Sequence, residues 1–149
     1  MTTCLHKITQ AQDDTQFATE AGTKMHAALA RITLNGDATH GDQELISHIR
    51  KNPDLAEYFT PTSLTEIPVA GTISGRFISR RIDRMIINTE LQQIKILDYK
   101  TDINKTDRRE KYIFQLKEYA ALMHAIYPSY SVSAAILWTH DWTLEKILN

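Results

Sequence analysis

An acid and an amine one residue apart, Asp98 and Lys100, close the run Ile96-Leu97-Asp98-Tyr99-Lys100-Thr101. Side chains of a β-strand alternate between its faces, so Ile94, Ile96, Asp98 and Lys100 share one face while Lys95, Leu97 and Tyr99 take the other. A carboxylate and an ammonium side by side at the end of an apolar face are costly to bury unless they pair or hold a metal. Alone, such a pair is more often a structural ion pair at a sheet rim than a catalytic one. Its meaning depends on which other groups the chain brings to it.

Four further polar positions stand out: His26, Asp83, Gln115 and Tyr119. Two acids on neighbouring antiparallel strands can approach closely enough to share a hard cation, and oxygen donors suit Mg²⁺ or Mn²⁺. Gln115 and Tyr119 are four residues apart and so lie one turn apart on one helix face. Each position also has an ordinary structural explanation. A histidine beside a helix's apolar stripe is usually structural, Asp83 can pair with Arg81 or Arg84, and Tyr119 can be a core residue.

The elements that must position these groups follow from the periodicity. Ala21, Met25, Ala28, Leu29 and Ile32 recur at helical spacing and predict a helix over residues 17–33, with His26 beside its stripe. Residues 43–51 and 54–59 predict two short helical pieces, separated by Asn52-Pro53 and ended at Pro61; residues 35–42 have loop chemistry. The period then changes to two, giving strands over residues 66–70, 76–88 and 93–101. On the middle strand strict alternation places Ile78, Arg80, Ile82, Arg84 and Ile86 on one face. Arg81, Asp83, Met85 and Ile87 fall on the other, where a carboxylate is unexpected. Residues 102–109 form a charged loop and residues 110–127 a second long helix, ended by Pro128. Residues 131–139 are almost continuously apolar, as in a strand covered on both sides, and residues 142–148 add an edge strand or a last helical turn. Helices, three strands, a helix and a strand imply an α/β or α+β mixed sheet, with the fourth strand parallel to one near the middle.

Composition narrows the function classes. A chain of 149 residues is about one domain and large enough for its own core; residues 1–16 read as a polar lead-in, with a helix N-cap at Asp13-Asp14-Thr15, and residues 17–149 as the domain. Cys4 is the only cysteine, which excludes an internal disulfide framework, a four-cysteine zinc site and an iron–sulfur cluster carried by this chain alone. No apolar run approaches a membrane span and the start lacks a signal-peptide core, so the expectation is a cytoplasmic protein without a membrane partner. No G-x-x-x-x-G-K-[ST] phosphate loop occurs, so no ATP site is expected. The net charge is −1, yet residues 71–120 carry 11 Lys and Arg against 7 Asp and Glu. That local excess is compatible with a phosphate-bearing ligand but below the overall basicity of a dedicated nucleic-acid binder.

In order along the chain, Gly22-Thr23-x-x-His26, Ile82-Asp83-Arg84, Ile96-Leu97-Asp98-Tyr99-Lys100-Thr101 and Tyr112-x-x-Gln115-Leu116-x-x-Tyr119 resemble the motifs of the PD-(D/E)xK nuclease superfamily. The likeness is nearest to the carboxy-terminal nuclease domain of AddA/RecB-type helicase–nucleases and runs from about residue 22 to residue 139. It implies a restriction-endonuclease-like mixed sheet and a Mg²⁺- or Mn²⁺-dependent deoxyribonuclease, an exonuclease acting in double-strand-break repair and recombination. It further implies His26, Asp83, Asp98 and the Tyr99 backbone carbonyl as metal ligands, Lys100 positioning the attacking water, and Gln115 orienting Lys100. Tyr119, Arg84 and Arg81 are then expected to contact substrate; Arg81 stands where the family has a small residue. Glu66 matches an acid often found on the first strand of such domains. DNA is the implied partner, with a helicase or second nuclease subunit supplying what this chain lacks. The alternative is a catalytically inactive DNA-binding or docking module derived from a larger helicase–nuclease.

Overall fold

Alternating apolar residues after residue 63 assemble a five-stranded sheet in the order β3-β4-β5-β6-β7. The computed structural model describes residues 19–35 and 38–149; the lead-in, its expected Asp13-Asp14-Thr15 cap and Cys4 lie outside the described residues. The strands are β3 (Leu64–Ile73), β4 (Arg76–Asn88), β5 (Gln93–Lys100), β6 (Ser131–Trp138) and β7 (Thr143–Leu148). Only β5 and β6 are parallel, joined by the long helix α4 (Arg109–Ile126) as a crossover connection requires. The fold is therefore mixed, α+β, and the tail forms the edge strand rather than a helical turn.

Amino-terminal to the sheet come α1 (Glu20–Ala30), a small hairpin of β1 (Thr33–Asn35) and β2 (Ala38–His40), α2 (Gln43–Arg50), and α3 (Pro53–Ala56) running into a 3-10 turn at Glu57–Phe59. Thr19 caps α1 by accepting from the Gly22 amide at 3.0 Å, and Asp42 caps α2 through the amides of Glu44 and Leu45. The β1–β2 hairpin corrects the expectation of a loop over residues 35–42: three-residue strands are too short to show a period of two.

Each face of the sheet buries its own cluster. Ile94, Ile96, Ala134, Ile136 and Trp138 pack with Leu116, Tyr119, Leu122 and Met123 of α4. On the other face Leu97, Tyr99, Ala135 and Leu137 meet Leu29, Ile32, Ile46, Ile49, Leu55, Tyr58 and Phe59. Cover on both sides is why β6 has no polar face, and each fully buried Leu, Ile or Phe contributes roughly 1.5–3 kcal/mol.

One irregularity bears on the site. Ile78, Ile82 and Met85 pack under α4, whereas Arg84 and Ile86 lie on the α1 side. Alternation along β4 thus slips by one residue at Asp83, and the β3 pairing jumps from Thr65↔Arg84 to Ile67↔Ile82. The residue skipped on β3 is Glu66, whose φ is 51°. This corrects the face assignment from strict alternation: Ile86 does not share a face with Ile78 and Ile82. The register is the same on either side, so Glu66 and Asp83 are left unpaired opposite one another, and Asp83 is freed from the apolar row of Met85 and Ile87.

Candidate active site

β4 and β5 pair only from Asn88↔Gln93 to Arg84↔Leu97. Beyond that point β5 follows β6 as far as Lys100↔Trp138, leaving β4, and Asp83 and Asp98 sit where the two strands separate. Tyr99 takes part in this opening through its backbone, its amide donating to Asp83 Oδ2 at 2.8 Å. A strand residue's N–H and C=O point to the same edge, so the Tyr99 carbonyl faces the same gap.

His26 reaches Asp83 from α1. Its Nδ1 lies 2.8 Å from the Gly22 carbonyl, so this nitrogen carries a proton and donates, and Nε2 stands 3.3 Å from Asp83 Oδ2. The ring is further held edge-on against Tyr99, with centroids 5.5 Å apart. Gly22 itself is where the amino-terminal end of α1 comes nearest the end of β5: a Cβ there would lie 3.1 Å from Thr101 Oγ1.

Lys100 and Asp98 emerge on the α4 side. The ammonium is 2.8 Å from Asp98 Oδ2, donates to Gln115 Oε1 at 3.0 Å, and lies 4.2 Å from the centre of the Tyr112 ring. Tyr112 donates its hydroxyl to Asp102. The Lys100 ammonium is the contact that Asp98 Oδ2, fully buried, has for its charge.

The charges respond to this packing. Burial raises the Asp98 carboxyl; Lys100 pulls it down and Asp83 pushes it up, leaving it at about 7 against an ordinary 3.8. Burial acts the same way on Asp83, but His26 and the Tyr99 amide outweigh it and hold this carboxyl below its usual range. For His26 burial acts downward, yet Asp83 and the Gly22 carbonyl dominate and raise it from 6.5 to about 9. Lys100 is likewise raised, Asp98 outweighing burial. Two carboxyls with opposite shifts, one poised near neutrality, are the arrangement that acid–base chemistry or cation binding needs.

His26 offers a direct check on this network. Histidine resonances followed by NMR are expected to show its imidazole titrating near 9, and Asp83→Asn to return it to the ordinary range or below. Its contribution to stability is fully present below about 6.5 and is lost as pH rises through about 9. Titration near 6.5 in the wild type would remove the His26–Asp83 interaction from the site.

Other expected residues are placed differently. Arg84 is 1 % exposed and its guanidinium is committed inside the protein. It donates to Tyr99 Oη (2.8 Å), the Tyr58 carbonyl (3.2 Å), Ser63 Oγ (2.6 Å) and the carbonyls of Leu29 (2.8 Å) and Ile32 (3.1 Å). A substrate cannot reach it, which corrects the expectation of a contact there. Tyr119 is corrected likewise: it is 2 % exposed, packed in the core, with its hydroxyl donating to the Arg81 carbonyl at 3.3 Å. Arg81 is exposed. Glu66 is exposed as well, and no ion pair or hydrogen bond joins it to the site. Sequence reasoning passed over Tyr99's hydroxyl and Tyr112, which support the site from behind; an aromatic flanking each charged pair was the available signal.

Comparison with protein-family models and with curated proteins finds no match to this chain. What the chain can do therefore rests on its own geometry. Among the described residues no three acidic, histidine or cysteine side chains converge into a ready-made metal cage. The donor set nonetheless fits a hard cation that keeps most of its water. Asp98 Oδ2 is buried with the Lys100 ammonium against it, and Asp83 lies within its electrostatic reach. Both are oxygen donors of the type Mg²⁺ takes through one or two carboxylates.

Proposed function

We propose that the chain is a Mg²⁺- or Mn²⁺-dependent deoxyribonuclease, hydrolysing phosphodiester bonds as an exonuclease of the kind used in double-strand-break repair and recombination. The observation that carries this reading is the convergence of two carboxylates, buried Asp98 and Asp83, where β4 and β5 part, with Lys100 held against Asp98. Asp83 and Asp98 would hold the cation, with the Tyr99 carbonyl on the same edge as a further donor and His26 Nε2, beside Asp83, joining only on giving up its proton. A bound Mg²⁺ or Mn²⁺ supplies positive charge at the non-bridging phosphate oxygens and makes water more acidic.

The chain's own groups do the rest. Gln115 accepts one Lys100 proton and the Tyr112 ring lies beside the ammonium, so Lys100 is fixed with donors left for the attacking water or a phosphate oxygen. With a cation bound, Asp98 would have a second counter-charge, and Lys100, held by Gln115, would be left to donate to water or phosphate. His26 keeps Asp83 ionised.

End-labelled single- and double-stranded DNA tests this reading. Wild type is expected to cut only with divalent metal, and Lys100→Ala to cut about 10²–10³-fold more slowly while still binding Mn²⁺. DNA left intact by wild type, or Asp98→Ala cutting as fast, would end the proposal.

One observation favours the inactive-module alternative: Lys100 already sits on Asp98 and His26 on Asp83, so the four groups neutralise one another without a cation. Calorimetry separates the two. An inactive module does not bind Mn²⁺ in a manner that Asp83→Ala or Asp98→Ala removes.

A further inference from the structure

From Arg76 to Ile82, β4 pairs with β3 alone, because its contacts with β5 begin at Arg84. These residues and their β3 partners form a two-stranded arm that projects from the Asp83 end of the gap. One face is closed by α4: Val69, Ile78 and Ile82 are buried there, Gly71 lies against Leu122, and Arg76 pairs with Glu118 of α4 at 2.6 Å. The opposite face carries the cross-strand pairs Thr72↔Phe77, Ala70↔Ser79 and Pro68↔Arg81, all six residues exposed. Phe77 is 58 % exposed, and among the described residues the Arg81 guanidinium has no partner.

The edge of the arm has a particular polarity. The Ser79 carbonyl accepts from the Arg80 guanidinium at 3.0 Å and the Arg81 carbonyl from the Tyr119 hydroxyl at 3.3 Å. Amides of the same residues point to the same edge, toward the gap that β5 has left. With the Ser79 and Arg81 carbonyls answered from within the chain and the Arg81 side chain beside them, this stretch of the edge presents donors and positive charge. That character suits phosphodiester oxygens; a peptide strand adding to the edge needs carbonyls and amides alike.

We propose that the outer face and open edge of this arm, from Phe77 to Arg81, bind single-stranded DNA and lead it to the carboxylates at Asp83 and Asp98. Phe77 offers a flat ring on which a base stacks, and Arg81 with the edge amides takes phosphates. Phe77 and Arg81 stand about 13 Å apart along the strand, and Asp83 follows two residues on. Small residues between them, Ala70, Thr72 and Ser79, let the strand lie close. The inference deepens the nuclease reading and rests on it for the destination of the strand, but not for the binding itself.

The test is fluorescence anisotropy of a labelled single-stranded oligonucleotide in chelator, where nothing is cut. Wild type is expected to bind it more tightly than a blunt duplex of equal length. Phe77→Ala should weaken binding about tenfold, the usual value of one stacked base. Arg81→Gln should lower the slope of log affinity against log salt by about 0.7, one phosphate contact. Ser79→Pro removes one edge amide, a change edge strands tolerate, and should weaken binding with the melting temperature held. Equal binding by these variants, preference for duplex, or an edge-paired dimer abolished by Ser79→Pro would overturn the proposal. Metal-dependent cutting by wild type with unaltered binding in Phe77→Ala and Arg81→Gln would sink the track alone. Normal track binding with Asp98→Ala still cutting would sink the nuclease site alone.

Discussion

Asp98→Asn is expected to make the metal-free protein more stable at pH 8 while abolishing Mn²⁺ binding and cleavage. Asp98 is 3 % exposed and its carboxyl is raised from 3.8 to about 7, burial being the largest cause. A group whose folded pKa lies above its unfolded value gives stability that is complete below the unfolded value and lost as pH rises through the folded one. The wild type therefore loses stability between about pH 4 and pH 7 on this account, even with Lys100 alongside. Asparagine keeps the shape and cannot ionise. The gain at pH 8 is roughly 2–4 kcal/mol, the free energy of a shift of this size, or some 5–10 °C in melting temperature. Melting curves of both proteins in chelator from pH 4 to pH 8 give the answer: the two should converge toward pH 4. A variant no more stable at pH 8, or one that still binds Mn²⁺, would show that Asp98 is not held in wait for a cation. Such a residue trades stability for function, as active-site groups commonly do.

The face assignment along β5 was legible because Ile94, Ile96, Leu97 and Tyr99 alternate without interruption and both faces are buried, which leaves the register no freedom. β6 was legible as a strand covered on both faces and parallel to one near the middle by its unbroken apolar run after a long helix; that its parallel partner is β5 came from the structure. The slip at Asp83 was not legible. It coincides with a positive φ at Glu66 on another strand, and nothing in the local text Arg81-Ile82-Asp83-Arg84 distinguishes an unpaired position from a regular strand. That one residue changed the meaning of its neighbours. Strict alternation put Arg84 on one face with Ile78 and Ile82, and Asp83 in an apolar row; the slip turns Arg84 to the opposite side, inward to the end of α1 and the 3-10 turn, and Asp83 out to His26. Tyr119 illustrates a different limit. Its spacing from Gln115 placed the two one turn apart on the helix, but Gln115 meets Lys100 while Tyr119 is buried in the core.

Arg84→Met is expected to destabilise the protein by at least about 4 kcal/mol. The guanidinium answers five acceptors from four segments of chain: the end of α1, the 3-10 turn, Ser63 and Tyr99. It also lies 4.0 Å from the centre of the Phe59 ring. Methionine fills the volume but leaves every acceptor buried and unanswered, at about 1–3 kcal/mol each where water cannot enter. Arg84→Lys keeps the charge, yet an ammonium has three donors where a fork of five is used, so it should recover only part of the loss. The carbonyls of Leu29 and Ile32 belong to the carboxyl end of α1, where a cation is favoured by the helix dipole; the arginine thus needs no carboxylate partner. Its bond to Tyr99 Oη ties β4 to β5 directly behind the point where Asp83 and Asp98 part. Urea denaturation of the three proteins measures the loss, and a change below 1 kcal/mol in Arg84→Met would mean that α1 is held by its apolar contacts alone. Histidine NMR then reads the consequence: in a folded Arg84→Lys protein whose α1 has shifted, the His26 imidazole should move from about 9 back toward its ordinary value, because the helix that carries it and the strand that carries Asp83 are joined by this side chain.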